Sequence, residues 1–209
     1  MAVAAVTLMA GTCSTDPVIP ASWECPVLGT MTQATGVGYF YKIEGGGITQ
    51  YWTGPIVASN ATPLTDFDGG TDDSPMSAVC EPDNPNFGSY FSWKAVELYK
   101  DHICPPGWHV PTSIDFQKLD LALGGIGTSH NDGTGIILGK YLSTTWAGFY
   151  TGYVDGGDLL SSSTSGFYWS QDPFDATRGR CLSYADSYDV NPDEAFKKIC
   201  GLQVRCIKD

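Results

Sequence analysis

Positive charge is scarce in this chain: 11 Lys and Arg stand against 23 Asp and Glu in 209 residues, a net charge of −12. The basic residues are scattered rather than gathered into a stripe. Phosphate backbones and anionic membrane surfaces need a clustered positive field, so nucleic acid is a poor partner and charged lipid is disfavoured. Histidine is scarcer still. His102, His109 and His130 share no ligand spacing with the seven cysteines, which themselves form no CxxC, so a structural zinc site is not expected. Nor is there a Ser-His-Asp ordering or a pair of carboxylates isolated in an apolar stretch. Without a nucleophile beside its base, the sequence reads as a non-enzyme. Self-similarity at periods of about 20 to 50 residues is absent, which removes solenoids and propellers.

What the chain does have is cysteine, at positions 13, 25, 80, 104, 181, 200 and 206, in a background rich in Gly, Ser, Thr and Tyr. That combination favours an oxidising, extracytoplasmic setting, secreted or on the cell surface, over seven reduced thiols in the cytosol. The first ten residues, "MAVAAVTLMA", are apolar and uncharged. They resemble the core of a secretory signal, and "LMAGTC" is one residue longer than a lipoprotein cleavage box, yet no basic segment precedes them. The arm is either the tail of a longer signal or part of the mature chain. Its ten residues are too few to span a bilayer, so no transmembrane span is expected. A retained arm would have to be buried, in its own subunit or in another copy, with Met1, Val3, Val6 and Leu8 as contact residues. Cys13 would be a lipid attachment point, an intermolecular bridge or a free thiol.

Along the body, "GVGYFYKI" and "ITQYWTGPIVAS" flank the glycine-rich "EGGG" and predict a β-hairpin. Residues 60–88 are dense in Asp, Pro, Gly and Asn without periodicity and read as a long loop. "SYFSWKAVELYKDHIC" then places Phe91, Ala95, Leu98 and Ile103 near helical spacing. "PTSIDFQKLDLALGG" predicts a second helix, capped by Thr112 or Ser113, with Asp115 in its first turn, Phe116, Leu119 and Leu123 as its stripe and Gly124-Gly125 as its stop. Between the helices "CPPGWHVP" makes a rigid corner, anchored by Cys104 and plugged by Trp108. After Gly125 the helical pattern vanishes into short strand-like pieces, "SGFYWS", "RCLSYA" and "LQVRCI". Two helices followed by a loop-rich antiparallel β region make an α+β fold. The chain divides into an N-terminal apolar arm and extension with the hairpin, 1–47, and a main domain, 48–209.

Four segments in order, "FGSYFSWKAV", "CPPGWHVPTSIDF", "GFYWSQD" and "GLQVRCIKD", resemble the Fibrobacter succinogenes major paralogous domain family, a group of secreted or surface proteins on a C-type-lectin-like fold. The resemblance covers roughly residues 48–209. It implies a domain whose chain ends pair, with Cys104 bonded to Cys206 and Cys181 bonded to Cys200. Cys25 would then pair with Cys80 and tether the long loop. The lectin-like fold is also similar to that of enzymes that oxidise a sulfatase cysteine to formylglycine through a cysteine pair, but the implied bridges occupy every C-terminal cysteine here. Where relatives carry a serine and threonine run after "YWS", this chain continues "QDPFDATRGR".

Two sets of residues are candidates for binding. "DFDGGTDD" offers Asp66, Asp68, Asp72 and Asp73 around a glycine turn, and oxygen ligands at that density suit Ca²⁺, although a solvated acidic loop has the same composition. No other cofactor is expected. "CEPDNPN" is similar to the sugar-binding EPN of calcium-dependent lectins, but it precedes the first helix, in the wrong part of that fold. "YWSQDPFDATRGR" and "SYADSYDVNPDE" present Trp169, Gln171, Asp172, Phe174, Tyr184, Asp186, Tyr188 and Asp189 in a recognition-type composition. Variable-surface proteins made by diversity-generating systems use this face of the lectin-like fold. The plainer reading makes Trp169 core and the remainder ordinary surface. The expected function is a non-enzymatic extracellular structural or adhesive subunit that self-assembles with other copies through its arm. The alternative is a monomeric module that binds a glycan or a surface protein through the C-terminal loops.

Overall fold

The computed structural model describes residues 17–36, 38–68, 77–79 and 87–209. Strands β1 (Trp23–Cys25) and β2 (Gly29–Gln33) precede the expected hairpin of β3 (Tyr41–Gly45) and β4 (Ile48–Ala58). The hairpin turns at Gly46 and Gly47, whose φ values of +56° and +77° suit residues without a Cβ. A 3₁₀ turn (Leu64–Asp66), β5 (Ser77–Val79) and β6 (Ser89–Ser92) lead into α1 (Trp93–Ile103). Next come β7 (Trp108–His109), α2 (Ser113–Leu123), β8 (His130–Asn131) and α3 (Ile136–Leu142). The chain closes with β9 (Tyr153–Asp155), β10 (Asp158–Leu160), β11 (Ser165–Pro173), β12 (Arg178–Ala185), β13 (Asp189–Lys197), β14 (Gly201–Gln203) and β15 (Arg205–Lys208).

These strands form two sheets, so the mixed α+β class stands. One runs β1-β2-β4-β15-β7 with β3 beside β4; the other runs β10-β9-β14-β11-β12-β13-β8, with β6 on β14 and β5 on β6. The last strand pairs with the first long one, Arg205 opposite Pro55 and Ile207 opposite Trp52. The Cys104–Cys206 disulfide rivets the corner after α1 to that closing strand. Strands β1 to β3 share this sheet, so the described part of the N-terminal extension packs into the same layer as the main domain.

Local signals set α2 as expected. The Thr112 hydroxyl accepts from Asp115 N, the Asp115 carboxylate accepts from Thr112 N, and Gly124 ends the helix in the left-handed region. Phe116, Leu119 and Leu123 are all buried. Trp108 is buried too, its indole donating to Val18 O. Helix α1 differs from expectation. Ser92 caps it through Ala95 N, so Phe91 falls in β6 opposite Leu202, and Leu98 is 52% exposed. Ala95 and Ile103 are buried as expected, joined by Trp93 and Val96. The third helix was hidden by the glycines that surround and interrupt it; the Asp132 carboxylate holds its start by accepting from Gly135 N and Ile137 N. Likewise β5 lies inside the expected long loop, paired to β6.

The implied Cys181–Cys200 bridge is absent: both are separate buried thiols. Cys181 sits in β12 and Cys200 just precedes β14, with β11 between those strands. Two strand spacings, about 9.5 Å, exceed the roughly 7 Å over which two Cα atoms can be bridged. Burial pushes the Cys200 thiol up to about 12 and the Cys25 thiol up to about 11, and a thiol held neutral is inert. Cys25 is a buried thiol, and its expected partner Cys80 lies outside the described residues, as do Met1, Val3, Val6, Leu8 and Cys13.

Aromatic side chains fill the core on both sides of the closing strand. Trp93, Trp108, Trp169 and Leu202 pack with α1, while Trp52, Phe116, Trp146, Tyr168 and Tyr184 pack with α2. Within the second group lies fully buried Arg205. Its guanidinium stands 4.1 Å from the Trp146 ring and 4.7 Å from the Tyr41 ring, and donates to Thr53 O and Trp146 O. Replacing both bridged cysteines, Cys104→Ser with Cys206→Ser, removes a closure across 102 residues. Loop-closure entropy puts the loss at about 4 to 5 kcal/mol, read by guanidinium unfolding; a loss under about 1 kcal/mol would mean that strand pairing alone sets the closure.

Candidate functional site

The eight C-terminal candidates do not form one surface. Strand β12 has eight residues, and at roughly 3.3 Å per residue it separates the turn at 174–177 from the turn at 186–188 by about 25 Å. Phe174 is 43% exposed at the first turn, with Arg178 and Arg180 both stacked on its ring. Those cations are themselves paired, Arg178 with Asp175 and Arg180 with Asp193. Tyr188, 44% exposed, stands at the other turn beside exposed Asp186 and Asp189, against Gly135. The Asp189 carboxylate accepts from Ser187 Oγ and Asn131 Nδ2, which hold it below the usual carboxylate range.

Trp169 and Tyr184 belong to the core. Helix α1 covers Trp169, whose indole donates to Phe91 O, and Tyr184 OH donates to Phe149 O beneath the α2 side. Gln171 N donates to Pro111 O, and the Asp172 carboxylate accepts from Ser113 N and Ser113 Oγ, adding a negative charge at the start of α2. Both residues act as struts. Of the calcium candidates, Asp66 and Asp68 stand at the 3₁₀ turn, whereas Asp72 and Asp73 lie outside the described residues. Among the described residues no three acidic, histidine or cysteine side chains cluster as metal ligands.

Sequence reading passed over a trough on the half-exposed face of β11, β12 and β13. Alternation puts Gly166, Tyr168, Leu182 and Tyr184 inward and Ser165, Phe167, Ser183 and Ala185 outward. Farther along the same face, α1 buries Trp169 and Cys181; nearer the 186–188 turn the face lies open. Register aligns Phe167, Ser183 and Asn191 in one row across the three strands, with Ser165 opposite Ala185 in the next. The hollow holds about 280 Å³, with Ser129, Asp189 and Glu194 on its rim. The available signal was the period of two in "SGFYWS" and "CLSYA", but only the register shows which outward residues meet.

A second hollow of about 540 Å³ lies between β4, α2 and β15, lined in part by Gln50, Asp115, Lys118 and Asp209. At its side His109 Nδ1 lies 2.7 Å from Asp209 Oδ1, and Nε2 lies 3.4 Å from Asp115 Oδ2. Hydrogen bonding to Asp115 raises the His109 pKa; Asp115, despite burial, is held at about 2 by its bonds to His109 and Thr112. With a carboxylate at each ring nitrogen, the imidazolium is favoured and no nitrogen is left to take a substrate proton. The cluster is a clamp between the corner, α2 and the C-terminal residue.

The family model of the Fibrobacter succinogenes major domain matches residues 49–208. No curated protein and no solved structure matches the chain. The clamp carries its own pH dependence. Because the folded His109 pKa lies above its unfolded value, its stabilisation is complete below that unfolded value and is lost as pH rises through the folded one; the Asp115 contribution is present above its unfolded value and is lost as pH falls towards 2. His109→Gln should therefore flatten the fall in melting temperature as pH rises above the ordinary histidine value of about 6.5, and an unchanged slope would assign that fall to another group.

Proposed function

We propose that this chain, which belongs to the Fibrobacter succinogenes major domain family, is a non-enzymatic, secreted or surface-held binding module on a C-type-lectin-like fold. The single observation that carries the reading is how its polar groups are spent. His109, Asp115, Asp120 and Asp172 are consumed in bonds that hold helix ends and loops, whereas the trough on β11–β13 keeps outward serines beside an aromatic ring. Pairing of the chain ends and their closure by Cys104–Cys206 support the lectin-like topology. The disulfide favours an oxidising compartment, and among the described residues no helix is long and apolar enough to cross a membrane.

A second reading, a structural or adhesive subunit that self-assembles through Met1, Val3, Val6, Leu8 and Cys13, draws support from where the arm joins the body. Ile19 is buried and Val18 O accepts from Trp108 Nε1, so load on the arm passes directly to the disulfide-braced corner. Neither reading needs a cofactor, and Ca²⁺ on Asp66, Asp68, Asp72 and Asp73 would serve to brace that loop. Electron microscopy of the native, unreduced protein with its intact mass separates the two. Dispersed particles of one chain are expected for the binding module; filaments or arrays that vanish when residues 1–13 are removed would replace it with the assembly subunit.

A further inference from the structure

The trough has a chemistry of its own. Resting on the binding-module reading, we propose that the open face of β11–β13 is a calcium-independent subsite for an uncharged glycan, with the Phe167 ring as its platform and Ser165, Ser183 and Ser129 as its hydrogen-bonding rim.

Three observations carry this assignment. Half-buried Phe167 is braced by two neighbouring rings, its centroid 5.4 Å from that of Tyr153 and 4.8 Å from that of Phe196, so its ring is ordered before any ligand arrives. Among the described residues the hydroxyls of Ser129, Ser165 and Ser183 enter no hydrogen bond within the protein, yet all three border one hollow. Sugar rings present what such a surface lacks: an apolar C–H face for the aromatic and a fringe of hydroxyls that both donate and accept. The charge pattern narrows the class. Asp189 and Glu194 edge the trough and, among the described residues, no cation lines it, so uronic acids, sulfated glycans and nucleotides are repelled, while neutral hydroxyls can donate to the carboxylates.

Those carboxylates are already oriented, Glu194 by Asn191 Nδ2 at 2.7 Å and Asp189 by Asn131 Nδ2 at 2.9 Å, so little ordering remains to be done on binding. At about 280 Å³ the hollow is small and open. That size sits at the lower end of ligand pockets, roughly 300 to 1,000 Å³, and suits part of a longer chain laid across the strands rather than an enclosed molecule.

The test is calorimetric titration of the full chain with neutral oligomers of glucose, mannose, galactose, xylose and N-acetylglucosamine. Ser183→Leu fills the middle of the trough from the half-exposed side, Ser165→Ala removes one hydroxyl without adding bulk, and Phe174→Ala lies at the far turn. Binding of at least one oligomer, unchanged by a calcium chelator and by Phe174→Ala, is expected, with a loss of about tenfold or more in Ser183→Leu and a smaller loss in Ser165→Ala. Near-ultraviolet circular dichroism checks that each variant is folded. No binding across the panel, binding removed by the chelator, or full affinity in folded Ser183→Leu would each overturn the assignment. Retained affinity in Ser183→Leu with loss in Phe174→Ala would move the ligand to the other turn and leave the binding-module reading standing. Failure of that reading would show separately, as assembly of the native protein without any ligand.

Discussion

A buried guanidinium with no acidic partner among the described residues fixes the centre of this protein. Taking Arg205 out of water costs several kcal/mol, and it is offset by two carbonyl acceptors and two aromatic faces rather than by a counter-charge. Each of those partners comes from a different part of the chain: Thr53 from β4, Trp146 from the segment after α3, Tyr41 from β3. Desolvation draws the Arg205 pKa down, but an arginine stays charged. The side chain can therefore reach these partners only when all of those segments are in place, and even then its Nη2 is buried without a hydrogen-bond partner among the described residues. Thr53 extends the constraint. Its carbonyl takes Arg205 Nε and its hydroxyl takes Cys206 N, so the residue that seats the guanidinium also seats the disulfide cysteine.

From that point the rest of the architecture is braced outward. Cys206 reaches Cys104, Trp108 reaches Val18, and His109 joins Asp115 on α2 to Asp209 at the chain end. Structure concentrated at the closing strand leaves the far end of β11–β13 free to present side chains, since α1 covers only the stretch around Trp169. Scaffold and candidate site are thus separated along the same strands.

How much of this was legible depended on range. Helix α2 could be read in full because its cap, first-turn acid, apolar stripe and glycine stop lie within a dozen or so neighbouring positions. Phe91 could not, because β14, distant in the chain, draws it into a strand before Ser92 starts the helix. The Cys104–Cys206 closure followed from a family resemblance, and the absent Cys181–Cys200 bridge shows what resemblance omits: the order of strands that puts β11 between them. At the site, large aromatics drew the eye to Trp169 and Tyr184, which the core absorbs, whereas serines in a glycine- and serine-rich chain carry no signal until register brings them together. An arginine in the middle of the apolar "LQVRCI" was the one visible mark of the central constraint, and its meaning depended on partners far away in sequence.

Native-state hydrogen exchange of Arg205→Lys tests that constraint most directly. An ammonium is a compact charge that cannot span Thr53 and Trp146 while stacking on two rings. The account predicts that amides of β4 and β15 lose protection together, with a global loss of about 3 kcal/mol or more. Protection unchanged in both strands would contradict it, and would place the closure of the fold in the disulfide and the aromatic core alone.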